Sequence, residues 1–163
     1  RQIMYYIEDF FENINALGIS VIKFGFDESD KIYQSLLKVF FYKQSHCITN
    51  HNKDIPLNNF FDESVVGVHL PNISSKRNFF LQKFPIAGKC YFMFEREVNH
   101  NIILFENYEN LRLVLENSYN FNFYIFSSEY NFILGWDTHE VLYGGGLASK
   151  WVSDIQKEWL AKL

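Results

Sequence analysis

Two runs in the C-terminal half restrict this chain most. Phe121, Phe123 and Ile125 alternate with Asn122, Tyr124 and Phe126, and after Ser128-Glu129-Tyr130-Asn131 the positions Phe132, Leu134 and Trp136 alternate again. A period of two belongs to extended backbone, whose side chains point to opposite faces in turn. Residues 121–136 therefore predict a β-hairpin. A second pair of strand-like runs, Cys90-Tyr91-Phe92-Met93-Phe94-Glu95 and Ile102-Ile103-Leu104-Phe105, is joined by a polar loop through Val98-Asn99-His100 and predicts another. Between the hairpins, Asn107 or Tyr108 opens a helix with Leu111, Val114 and Leu115 on one face. The order β-β-α-β-β defines an α+β fold with a mostly antiparallel sheet. Strands that alternate in this way are half buried, so helices are expected to cover one face of the sheet.

Helices flank this unit. Ile3, Met4, Ile7, Phe10, Phe11, Ile14 and Leu17 recur at helical spacing with Glu8, Asp9, Glu12 and Asn13 on the other side, and Gly18 stands where a left-handed cap belongs, which predicts a helix over residues 2–17. Residues 19–26 read as an extended segment. Asp27 or Ser29 can cap a second helix bearing Ile32, Tyr33, Leu36, Val39 and Phe40. From His46 to about Phe84 the periodicity fades around the clusters Phe60-Phe61 and Val65-Val66, consistent with one brief strand and one helical turn. A connection of that length is out of proportion for a compact domain, so a further element is expected inside it. Trp151, Ile155, Trp159 and Leu163 predict a closing helix. No linker or repeat divides the chain, and residues 1–163 read as a single globular domain.

Composition narrows the function classes. With 48% hydrophobic and 21% charged residues, the 163-residue chain falls in the range of an ordinary globular domain. The net charge of -4 disfavours the phosphate contacts that dominate non-specific nucleic-acid binding, and a basic partner is the natural complement. Cys47 and Cys90 form no metal or disulfide pattern, so a reduced, cytoplasmic protein is expected. No apolar run reaches the roughly 20 residues that a membrane-spanning helix needs, and the N-terminus shows no signal-peptide pattern. Opening at Arg1 rather than Met leaves room for a short leader ahead of it.

Candidate chemistry is sparse. Asp137, His139 and Glu140 follow a strand end, a common place to present a base with orienting carboxylates, and are the best catalytic-looking group. Gly144-Gly145-Gly146 fits neither familiar phosphate-binding fingerprint and reads as a flexible entry into the last helix. His46, Cys47 and His51, with Asp54 or Asp62, are too loosely spaced for a zinc site, so no metal or other cofactor is expected. His69 and His100 stand alone. No G-x-S-x-G motif surrounds a serine, and Cys90 opens a hydrophobic strand where an inert thiol belongs. Tyr91, Phe92, Phe94, Tyr124 and Phe126 suggest a stacking platform for single-stranded nucleic acid, but the acidic residues around them argue that the rings are core.

The segment Phe123-Tyr124-Ile125-Phe126, followed by Phe132-Ile133-Leu134-Gly135-Trp136-Asp137-Thr138-His139-Glu140-Val141-Leu142, resembles the ending of small bacterial proteins encoded beside secreted toxins. The resemblance covers roughly the last 75 residues, a span set by matching elements to the motif. The chain departs from that pattern in carrying Thr138 where a second histidine often stands. The resemblance implies a non-catalytic immunity protein, such as those of contact-dependent growth inhibition, that binds a cognate toxin domain. Such domains are commonly nucleases with basic clefts, which an acidic face bearing Glu95, Glu97, Glu106, Glu109 and Glu129, with the turn residues Asp137, His139 and Glu140, would steer and cover. The alternatives are a small enzyme using Asp137, His139 and Glu140, and a nucleic-acid module on the aromatic strands.

Overall fold

A computed structural model describes residues 2–42, 55–95 and 101–163, with side chains from Tyr5 onward. The helices are α1 Gln2–Ala16, α2 Phe26–Phe40, α3 Asn78–Lys83, α4 Tyr108–Glu116 and α5 Ser149–Leu160. The strands are β1 Val21–Lys23, β2 Val66–His69, β3 Cys90–Phe94, β4 Ile103–Phe105, β5 Phe123–Ser127, β6 Phe132–Asp137 and β7 Val141–Gly146. They form one sheet in the order β1-β4-β3-β5-β6-β7-β2, with every neighbouring pair antiparallel. The α+β class with an antiparallel sheet is thus observed, and both expected hairpins are present.

Local signals explain much of this. Gly18 adopts φ +66° after α1, and the Ile19 amide closes back on the Ile14 carbonyl at 3.1 Å, which satisfies an orphan acceptor at the helix end. Asn107 caps α4 by accepting from the Asn110 amide at 2.9 Å. At α2 the expected cap is corrected, because Gly25 precedes the helix without a side-chain cap. Ser29 is buried and serves another element: its hydroxyl accepts from the Ile102 amide at 2.9 Å, tying α2 to the entry of β4. The long connection holds β2, α3 and two short 3₁₀ turns, Leu57–Phe60 and Ser74–Lys76.

Two expectations fail on packing grounds. The central strands are buried on both faces, since every residue of β5 and β6 is buried. One face presents Phe92, Phe94, Phe123, Ile125, Leu134 and Trp136 to α1, α3, α4 and α5. The other presents Met93, Tyr124, Phe126 and Ile133 to α2 and the Leu57–Phe60 turn. Phe10 of α1 anchors the first layer, stacked on Phe92 with centroids 4.5 Å apart.

The glycine run is likewise strand rather than flexible entry, because Gly144, Gly145 and Gly146 pair with Leu134, Ile133 and Phe132. A Cβ at Gly144 would collide with the Val152 side chain and lie 2.6 Å from the Ala148 carbonyl oxygen, so glycine lets the first turn of α5 rest directly on β7. Gly146 adopts φ +61°, where the chain leaves the sheet to enter that helix.

Candidate functional site

The β6–β7 hairpin turns through Thr138, His139 and Glu140, with Asp137 and Val141 as the last paired residues. The Glu140 amide bonds the Asp137 carbonyl at 2.9 Å and Glu140 takes φ +70°, the left-handed position that a three-residue hairpin loop requires. Asp137 is buried at the strand end. Its Oδ1 accepts from the His139 amide and meets His139 Nδ1, both at 2.8 Å, while its Oδ2 accepts from Asn58 Nδ2 at 3.1 Å. The His139 ring is 88% exposed, so Nε2 faces solvent.

Glu140 serves a different loop. Its carboxylate accepts from the Asn72 amide at 3.0 Å, the Ser74 amide at 3.1 Å and the Ser74 hydroxyl at 3.0 Å, and His69 Nε2 stands 3.8 Å away. These donors hold its pKa below the usual carboxylate value, the two backbone amides contributing most. Asp137 and His139 therefore come together and Glu140 does not join them.

The remaining acidic residues are also dispersed. Pairing of Cys90 with both Ser127 and Phe105 puts Glu106 and Glu129 beyond the same end of the sheet, with Glu109 opening the adjoining α4. Asp137 and His139 lie at the opposite end, by the pairing of Phe94 with Phe123 and of Phe123 with Trp136. Glu109 is engaged by Arg112, which also pairs with Glu116 at 2.6 Å.

Glu95 is a correction. It is only 4% exposed, and accepts from the Leu57 amide at 2.9 Å and the Tyr124 hydroxyl at 2.8 Å, so it organises the interior rather than an acidic surface. Tyr124 in turn accepts from the Asn58 amide at 3.1 Å, and burial beside Glu95 drives its pKa well up. Glu97, His46, Cys47, His51, Asp54 and His100 lie outside the described residues.

Other candidates resolve simply. Phe92 and Phe94 are buried on one face and Tyr124 and Phe126 on the other, so these rings form no exposed platform. The Cys90 thiol is buried, and desolvation pushes it up to about 12. Asp62 accepts from the Ser64 amide and hydroxyl at its own turn.

A further acidic surface lies on α1. Tyr5, Glu8, Asp9 and Glu12 follow i, i+3, i+4, i+7 spacing on α1, opposite the buried Ile7, Phe10 and Ile14, and α1 contains no lysine or arginine. Glu8 and Glu12 are exposed and have no hydrogen-bond or ion-pair partner among the described residues. Tyr5 meets Tyr119 with centroids 5.2 Å apart, the two residues being 59% and 51% exposed. Asp9 accepts from the Tyr119 amide at 3.2 Å. The same segment reaches the β6–β7 hairpin, since Asn120 accepts from the Trp136 indole and Asn122 from the Thr138 amide, each at 2.8 Å. The acids were legible in the sequence as the polar side of a helix, whereas Tyr119 joins them only in three dimensions.

No family model, curated protein or solved structure matches this chain. No helix among the described residues is long and apolar enough to cross a membrane.

Proposed function

We propose that this chain is a non-catalytic immunity protein of the cytoplasm that binds and neutralises a basic cognate toxin domain, of nuclease type. The observation that carries the reading is the α1 stripe. Glu8 and Glu12 have no ion-pair partner among the described residues and stand beside an exposed tyrosine pair, and such a surface can steer a basic protein and then hold it. Tyrosine supplies contact area to an interface at low entropic cost, and its ring face accepts lysine or arginine. Residues 119–122 join the stripe to the β6–β7 hairpin, so the two surfaces are held in a fixed relation.

The enzyme reading rests on the Asp137–His139 pair, an oriented imidazole with an open Nε2. It lacks a third group, because no hydroxyl or thiol is bonded to His139 among the described residues and Glu140 is engaged elsewhere.

Co-expression tests the proposal. The polypeptide encoded beside this gene should arrest growth alone and be neutralised by this protein, and Glu8→Lys with Glu12→Lys should weaken protection. Undiminished arrest by the neighbouring product in the presence of the native protein would refute the proposal.

A further inference from the structure

Away from the α1 stripe, α3, α5 and the residue 70–76 segment border a half-open pocket of about 330 Å³ lined by Asn72, Lys76, Phe79, Trp159, Lys162 and Leu163. From its lining we infer that this pocket binds a small anion carrying a flat ring, with the ring against Phe79 and Trp159 and the anionic group between Lys76 and Lys162.

Three observations converge on that chemistry. The apolar wall is already organised as a ring site: Phe79 and Trp159 lie 5.1 Å apart, and the indole is fixed because its Nε1 donates to the Pro71 carbonyl at 2.8 Å. The charges at the rim are available. Lys83, which also approaches Phe79, is neutralised by Glu158 at 2.7 Å, but Lys76 and Lys162 have no carboxylate within ion-pair distance among the described residues. In a chain of net charge -4, two ammonium groups at one concavity with no ion-pair partner among the described residues concentrate positive charge there, which favours an anion. Lys162 already lies over the Phe79 ring, 5.6 Å from its centroid, so a ring laid there would share that cation.

The rim is held in place independently of any ligand. Asn72 stands at φ +65° with its amide bonded to Glu140, and Gln156 of α5 donates to the His69 carbonyl at 3.2 Å. Glu140 is thus a positioning residue for this pocket, fixing the 72–74 backbone from the neighbouring hairpin. A volume at the small end of ligand sites, about 300 to 1,000 Å³, restricts the occupant to one or two rings.

Calorimetric titration with two anionic probes, adenosine monophosphate and 2-naphthoate, tests the inference, with adenosine and 2-naphthalenemethanol as uncharged counterparts. At least one anion should saturate a single site and bind about tenfold tighter than its uncharged counterpart. The Lys76→Gln/Lys162→Gln variant should weaken that binding about tenfold with an unchanged thermal midpoint, since both side chains are exposed. Failure of both anions to bind, equal binding of the uncharged counterpart, or unaltered affinity in the double variant would each overturn it.

Discussion

Glu140 occupies a backbone position that disfavours any residue with a Cβ, yet its side chain makes three hydrogen bonds that glycine could not. The contacts to Asn72 and Ser74 join the β6–β7 turn to the segment that rims the pocket, so one carboxylate couples two loops. Its folded pKa is depressed, which means the unfolded chain binds the proton more readily. The stabilisation is therefore complete above the ordinary glutamate value of 4.5 and is lost as pH falls through the lower folded value. Urea unfolding measured at decreasing pH should show the native protein losing more stability across that window than Glu140→Gln, which carries no titrating group there. Parallel losses would show that the carboxylate contributes nothing to folding. Glu95 is the same residue type in a different role, buried beneath Leu57 and Tyr124. Its neighbours in sequence, Phe94 and Arg96, mark it as a strand-end acid facing water, and only partners 38 and 29 residues away reveal otherwise.

Elements were legible where their periodicity stood alone. The hairpin of β5 and β6, the Asn107 cap and the Gly18 stop all follow from patterns within a few residues. β7 was hidden because half of it is glycine, which has no side chain to show a period, and the reason for that glycine lies in a helix that comes later. Gly144 admits the Ala148 carbonyl and Val152 against the strand. Gly144→Ala should destabilise the protein by about 1 to 3 kcal/mol, the usual effect of overpacking a tight core, as read from the denaturant midpoint. A midpoint equal to the native one would mean that α5 can move off β7 without cost. The second covering of the sheet was also present in the sequence, since Tyr124, Phe126 and Ile133 place apolar groups at the positions expected to face water.

For the molecule as a whole, burial of the sheet on both faces leaves recognition to the outer sides of the helices and the ends of the strands. Among the described residues, the acids expected to share one surface are distributed between the two ends of the sheet, and Glu95 is inside. The inner face of α1 holds the aromatic core, while its outer face carries Glu8, Asp9, Glu12 and Tyr5 beside Tyr119. Because the inner and outer faces are separate, charge reversal on the outer one should leave folding intact. The measurement that tests this account most directly is the association rate between this protein and the domain encoded beside it, at low and high salt. The native protein should associate faster at low salt, and the Glu8→Lys/Glu12→Lys variant should bind about tenfold more slowly with a weaker salt dependence. Equal rates for the two proteins at both salt concentrations would contradict the assignment of α1 as the binding face.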